Sequence, residues 1–289
     1  MRGRDTAVIA VDTHPWYAFY APLTAMVWSA RGWCPLVIFV GDEEVWDGDP
    51  RAQIVRDRCC DVPDSRIARV DAIDGFRSAT WAQVVRLFAA EIESIDSSDY
   101  LLTSDADMWP LGDWVGGGRD DNKDLQIYYS NAHRTEPGAR PHFPMCYLGA
   151  RVSAWREIVG PSPEFTVVKA AGEARLDGPV HRIGGEEIPL DVWNLDETVF
   201  GEFMLNWPGY PSRCQLIERD MTKVGQKRLD RAGWVELDNL DGYADAHLPR
   251  PGSSAENWPR VRRLFDLATG EGEWADDYYE DLKKAMVGR

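Results

Sequence analysis

Tyr100-Leu-Leu-Thr-Ser-Asp105-Ala-Asp107-Met-Trp-Pro110 sets a largely apolar run directly ahead of two carboxylates one residue apart. Tyr100 to Thr103 follows a polar turn over Asp96 to Asp99 and predicts a central strand. Two carboxylates at the end of a buried strand repel each other and are costly to bury unless a cation neutralises them. A hard divalent ion is the economical explanation. The competing reading, a solvated strand-to-turn pair, fits poorly with the apolar strand before the motif and Met108-Trp109-Pro110 after it.

Working upstream, three short apolar runs each precede a segment of helical character, the alternation of an α/β fold with a helix-covered parallel sheet. Thr6 to Val11 ends at Asp12-Thr13-His14, and Pro15 opens a helix from Trp16 to about Ala30. Pro35 to Val40 ends at Gly41-Asp42 ahead of a polar helix over Pro50 to Cys59, and Arg66 to Val70 ends at Asp71. In open α/β sheets the ligand lies outside the carboxyl ends of the strands, which places Asp12, Thr13, Asp42 and Asp71 on the binding edge. They are also ordinary loop residues. From Ser78 to Ile92, Trp81, Val84, Val85, Phe88 and Ile92 define one buried helical face, with Arg86 on another side.

Downstream, Gly116 to Asp124 reads as a charged, flexible loop, Leu125 to Ser130 as a strand, and Met145 to Leu148 as a short strand before a helix carrying Trp155. Gly160 to Val192 reads as a long loop. Asp196 reads as the N-cap of a helix over Glu197 to Asn206. Trp234 to Leu237 is a candidate last strand, Asp241 to Pro251 a loop containing His247, and Ala255 to Thr269 and Ala275 to Met286 are two closing helices.

The 289 residues are 44% hydrophobic, enough for one large domain or two fused halves. Subtracting 48 acidic from 32 basic residues gives a net charge of −16. Nucleic acid and membrane surfaces are poor partners for such a chain. An anionic ligand needs local neutralisation by Arg, Lys or a divalent metal. Five cysteines without a C-x-x-C pair argue against a disulfide framework or a zinc site. No stretch approaches the roughly 20 apolar residues of a membrane span, and Met1 to Asp5 leads straight into a strand. The expectation is a soluble, cytoplasmic protein.

The motif in its context resembles the Asp-x-Asp motif of glycosyltransferases with the GT-A fold. The context is Val85-Arg86-Leu87-Phe88, then the motif strand, a Gly-ended strand, Leu195-Asp196-Glu197 and a late His247. That order is similar to the glycogenin-like and related bacterial and viral transferases over most of the first 250 residues. Two details depart from it: Thr103-Ser104 replaces the usual apolar-Asp pair, and Tyr147-Leu-Gly149-Ala-Arg stands for an Asn-Ala-Gly type of strand.

The resemblance implies a mostly parallel mixed sheet flanked by helices. It implies a catalytic domain over 1–250, with a nucleotide half (1–115) and an acceptor half (116–250), and a helical extension over 251–289. Asp107 would ligate Mn²⁺ or Mg²⁺ bridging the phosphates of a nucleotide sugar, most readily a UDP-sugar, and Asp105 would reach the metal through water or touch the ribose. His247 would be the third ligand. Arg86 would pair with a phosphate or orient an Asp of the motif, and Arg250 would meet the diphosphate. Asp12, Thr13, Tyr17 and Asp42 fall on the nucleotide side. His247 as a plain loop histidine and Arg86 as a solvent-reaching side chain stand beside these roles.

An inverting transferase needs a carboxylate to deprotonate the acceptor hydroxyl, and Asp196, with Glu197 beside it, is the candidate. A helix N-terminus stabilises the ionised form and weakens basicity, so a pure capping role is the alternative. In retaining members of the resembling group an Asp-Gln pair occupies this place; our reading leans to inversion. Trp16, Tyr17, Trp109, Trp193 and Trp207 are candidate stacking surfaces, each also a candidate for core packing. Three other classes share parts of the pattern: a haloacid-dehalogenase-like phosphatase, a sugar nucleotidyltransferase and a non-catalytic glycan-binding module. The first lacks its usual residue after the motif, and the second lacks a Gly-rich loop after the first strand.

Overall fold

The computed structural model describes residues 3–73, 76–92, 95–132, 142–160, 180–183, 186–189, 193–234 and 237–287, with 180–189 as backbone only. The central sheet has seven strands, β1 (Asp5–Val11), β2 (Cys34–Val40), β3 (Arg66–Val70), β4 (Tyr100–Ser104), β6 (Leu125–Tyr128), β7 (Leu148–Arg151) and β10 (Cys214–Ile217), in the order β10-β6-β7-β4-β1-β2-β3. β7 runs antiparallel to both neighbours, and every other pairing is parallel. β5 (Met108–Pro110), β11 (Lys227–Leu229) and β12 (Tyr243–His247) form a second, three-stranded sheet, and β8 (Val180–Ile183) pairs antiparallel with β9 (Glu186–Pro189).

Strands covered on both faces must be apolar on both, and β1, β2 and β4 are buried almost without a break. Their alternate residues feed two cores: Ala7, Ile9, Val37 and Phe39 face one, Val8, Leu36, Ile38 and Leu101 the other. The first core is closed by α1 (Pro15–Ala18), α2 (Tyr20–Ala30), α3 (Glu43–Gly48), α4 (Pro50–Cys60) and the closing helices α8 (Trp258–Thr269) and α9 (Gly272–Val287). The second is closed by α5 (Ser78–Val85), a 3₁₀ turn (Arg86–Glu91), α6 (Val152–Val159) and α7 (Leu195–Asn206). Among the described residues no helix is long and apolar enough to cross a membrane.

Several local readings change. The helix over Trp16 to Ala30 breaks at Phe19, and the one over Ser78 to Ile92 tightens to 3₁₀ geometry at Arg86. The strand expected at Met145 to Leu148 starts at Leu148 instead. Thr103 Oγ1 donates to Met145 O at 2.8 Å and accepts from Leu148 N at 2.9 Å, so a side chain replaces the ladder there. The long loop from Gly160 contains the antiparallel pair β8–β9; its remainder, 161–179, 184–185 and 190–192, lies outside the described residues. The candidate strand at Trp234 to Leu237 is not a strand at either of its two described residues, Trp234 and Leu237, with 235–236 outside the described residues. β12, inside the segment read as a loop, is the last strand. It escapes a hydropathy reading because Asp245 sits buried in its middle.

Candidate active site

β1 and β4 are neighbours, so Asp12 and the motif carboxylates end at one rim, above a cavity of about 610 Å³. Asp12 is fixed from both sides: Oδ1 accepts from His14 N at 3.1 Å and Oδ2 from Ser78 Oγ at 3.0 Å. The short strand β5 after the motif pairs with β12, which sets His247 opposite Met108; Leu248 N donates to Asp107 O at 2.9 Å. That ladder returns a histidine to Asp107 across the sequence, with Nε2 3.6 Å from Oδ2.

Asp107 is buried, and the Arg250 fork closes on its Oδ2 with Nε at 2.7 Å and Nη2 at 2.6 Å. Arg231 Nη2 stands 3.5 Å from the same oxygen. Burial pushes this carboxyl up, yet Arg250, His247 and Arg231 together hold it below the usual range. For His247 burial lowers the pKa; Asp107 opposes, and the neighbouring arginines add to the lowering, so the ring is neutral near pH 7 with a lone pair to give. Arg250 lies over the Tyr17 ring at 4.5 Å and donates to its hydroxyl.

Arg86 begins the 3₁₀ turn, and its guanidinium is buried. Nη1 donates to Asp105, Nη2 to Asp196 Oδ2 at 3.0 Å, and Nε to Gln83 O at 3.1 Å. Arg86 therefore orients an Asp of the motif and does not reach solvent. It also joins the motif to α7. Asp196 is the second residue of that helix and not its N-cap; Asn194 takes the cap position, and Asp196 Oδ1 accepts from Glu197 N at 3.0 Å. The weakened basicity expected at a helix N-terminus is overturned by desolvation. Burial raises Asp196 to about 7, with Arg86 pulling down and Glu197 and Asp105 adding to the rise. His142 Nδ1 stands 3.7 Å from Glu197 Oε2.

Thr13 and Asp42 are not brought to this cavity. Thr13 borders a small separate hollow against α4 and α9, and Asp42 is exposed as the N-cap of α3. Asp71 is exposed as well. For Asp42 and Asp71 the reason is lateral distance: β2 and β3 lie two and three strands from β4, at about 4.8 Å per strand. Of the candidate stacking rings, Tyr17 and Trp193 line the cavity, 6.3 Å apart. Trp109 is core, its Nε1 donating to Thr24 Oγ1 at 2.8 Å, and Trp207 is buried beneath Arg213. Trp16 packs edge-on to His14 and lies off the cavity.

Residues the sequence reading missed form the opposite wall: Arg228 and Arg231 around β11, Tyr129 just after β6, and Cys146 just before β7. The legible signal was Lys227-Arg228-Leu229-Asp230-Arg231, a local excess of base in an acidic chain.

Asp105, Asp107 and His247 all line the cavity. Among the described residues, though, no three His, Cys, Asp or Glu side chains are gathered as metal ligands, since Asp105 turns to Arg86 and Asp107 to Arg250. The donors suit a hard divalent ion in kind: two carboxylates and a neutral imidazole. Asp107 and His247 also approach the right spacing, because bonds of about 2.1 Å put adjacent ligands about 3 Å apart.

The sheet order, the single antiparallel strand β7 and a motif turn at the end of β4 give the protein the GT-A glycosyltransferase fold. Over 97% of its length the chain is similar in structure to 52% of the longer bifunctional glycosyltransferase WbbM, with 9% identity and a TM-score of 0.50. It is also similar to the galactosyltransferase LgtC in complex with donor and acceptor sugar analogues (13% identity, 95% of each chain, TM-score 0.48). A third likeness is to the glycosyltransferase GlyE of Streptococcus pneumoniae (12% identity, 98% of this chain and 64% of that one, TM-score 0.46). No protein-family model matches the sequence, and no curated protein matches it.

Proposed function

We propose that this protein is a glycosyltransferase moving a sugar from a nucleotide diphosphate donor, read as UDP-linked, to a hydroxyl of a saccharide or other acceptor. One observation carries the reading. A buried guanidinium, Arg86, ties the motif residue Asp105 to Asp196, 91 positions further along the chain, beside the Asp107–His247 pair and on one cavity.

In this reading the nucleoside lies on the β1 side, between Asp12 and α5. Arg250 and Arg231 take the diphosphate, and Asp107, His247 and Asp105 hold a Mn²⁺ or Mg²⁺ ion. When bound, that ion supplies Lewis-acid stabilisation of the departing diphosphate. Asp196, with a pKa near neutrality, takes the proton of the attacking hydroxyl at its carboxylate, and Arg86 holds that carboxylate in place. Glu197, one residue on, orients the acceptor. We read attack as direct and the outcome as inversion. The protein domain spans 1–250, with α8 and α9 packed on its first core as the extension.

Thermal-shift measurements with UDP, GDP and their sugars, each with and without Mn²⁺, test the reading. The expected result is a metal-dependent rise in melting temperature with UDP. If every nucleotide fails to shift the protein in the presence of metal, the transferase reading falls. The anomeric configuration of the product, read by proton NMR, decides between inversion and retention.

A further inference from the structure

Beside the cavity, where β11 pairs with β12, two guanidiniums face one carboxylate among the described residues. Around Asp107, the cations Arg250 and Arg231 face the carboxylates of Asp107 and Asp230, the latter 3.6 Å from His247 Nδ1. That group is balanced. One strand further, Asp245 sits fully buried on β12 and accepts two forks at once. Arg219 donates Nη1 at 2.9 Å and Nη2 at 2.6 Å, and Arg228 donates Nε at 3.1 Å and Nη2 at 2.8 Å. Two guanidiniums share one carboxylate. The adjoining thiol and phenol add no anion: burial pushes the Cys146 thiol up to about 12 and Tyr147 well above its ordinary range, so both stay neutral.

The two arginines differ in what they have left to do. Arg219 is wholly enclosed and gives its other donors to backbone, Nε to Gln226 O at 2.6 Å and Nη2 to Lys227 O at 2.9 Å. Arg228 is partly exposed and lines the cavity, with Nη1 outside the fork on Asp245 and the Cys146 thiol hydrogen-bonded to its guanidinium. Tyr129 is held beside it in a left-handed backbone (φ 60°), a conformation that is strained for a non-glycine residue. This sets the Tyr129 ring 5.0 Å from the Arg228 guanidinium and 5.2 Å from that of Arg219. Two cations on one buried carboxylate are expensive to maintain for stability alone, and a guanidinium edge matches carboxylate and phosphate.

Topology assigns the ligand. β4, which carries the motif, divides the sheet: Asp12 and α5 line the cavity from the β1 side, Tyr129 and Cys146 from the β6–β7 side. On the transferase reading Arg231 and Arg250 meet the donor's diphosphate beside Asp107, whereas Arg228 stands against Tyr129 and Cys146, on the side toward which a donor seated on the first side would present its sugar. Resting on the transferase reading above, we propose that Arg228, backed by Tyr129 and Asp245, is an acceptor subsite for an anionic group, so that the acceptor is a sugar bearing a carboxylate or a phosphate.

Calorimetric titration of the full chain, saturated with UDP and Mn²⁺, tests this with three probes: methyl β-glucuronide, glucose 6-phosphate and methyl β-glucoside. At least one anionic probe should bind about tenfold or more tightly than the neutral glycoside, and which one does identifies the anion. Arg228→Gln, which leaves Asp245 in the Arg219 fork, should erase the difference, and Arg228→Lys should restore part of it. Equal binding of all three probes overturns the proposal, as does an unchanged preference in Arg228→Gln. So does a loss of UDP affinity in that variant as large as the loss of anion affinity, which would place Arg228 on the donor. Should Arg228→Gln fail to fold, the preference of the unmodified protein and its weakening between about 50 and about 500 mM salt decide alone. Failure of UDP to bind at all would show separately as a flat UDP titration; the probes are then compared on the free protein.

Discussion

Replacing Arg86 by Met removes a buried cation that two carboxylates share, and the consequences follow from the geometry. Asp196 has its pKa near 7 because burial raises it while Arg86, 3.0 Å away, pulls it down. An opposite charge at this range lowers a carboxyl by about 1 to 3 units. Loss of Arg86 should therefore carry Asp196 from about 7 to roughly 9. At pH 7 the ionised fraction then drops from about one half to about one hundredth, a roughly 50-fold loss of competent base. The midpoint of the pH profile of kcat/KM for UDP-sugar turnover should move up by about 2 units, with the plateau above it partly recovered.

The same linkage sets the sign on stability. A carboxyl raised from 3.8 to about 7 on folding keeps its proton in the folded protein after the unfolded chain has lost it, so its contribution falls as pH rises through that interval. In Arg86→Met the interval extends upward. Its deficit against the unmodified protein should be small at pH 6 and grow to about 2 to 3 kcal/mol by pH 8.5, below the 3 to 5 kcal/mol of a broken buried pair because protonation relieves the charge. Urea denaturation at the two pH values measures it. A pH–rate midpoint that stays put in the variant, or a stability deficit that does not widen with pH, refutes the assignment of Asp196 as the titrating base held by Arg86.

Asp107→Asn should abolish Mn²⁺-dependent UDP binding in a thermal-shift assay; an unchanged shift would make the motif structural. Asp245→Asn leaves the buried Arg219 and the largely enclosed Arg228 without a full counter-charge and should lower stability by about 3 to 5 kcal/mol in denaturant titration. Asp107 and Asp245 are both held below the ordinary carboxylate range, so the stability they contribute is present above the unfolded value and is lost as pH falls below about 4. Gly149→Ala would drive a Cβ to 2.0 Å from Tyr100 Oη, which donates to Gln126 Oε1 at 2.7 Å, so a loss of about 2 kcal/mol on denaturation is expected.

Elements that bury an uninterrupted apolar run were legible. β1, β2 and β4 are such runs, and their boundaries from hydropathy fall within a residue or two of the strands. β11 and β12 were not, because their stability comes from charge pairing at a distance. Tyr243-Ala-Asp-Ala-His247 carries a fully buried carboxylate whose partners come from positions 219 and 228, and no local window holds all three. The β7 register was missed for a related reason: Thr103, a residue of the neighbouring strand, supplies the hydrogen bonds that a ladder would have supplied to Met145 and Leu148.

The candidate site divides along the same line. Arg86 stood out as a lone base in an apolar helical stretch, and the motif stood out as paired acids after an apolar strand. What the order of residues withholds is lateral position. Asp12 and Asp42 look equivalent as acids at strand ends, yet β1 neighbours β4 and β2 does not, so one reaches the cavity and the other solvent. The net charge of −16 withholds still more, since it is a sum over the chain while a ligand meets a wall. On that wall Arg228, Arg231 and Arg250 stand together, and Arg228 shares the carboxylate of Asp245 with Arg219. An acidic chain can therefore hold an anion by concentrating a few guanidiniums where β5 draws β12 to the motif, and the long-range repulsion of the remaining surface is screened beyond about 8 Å at physiological salt.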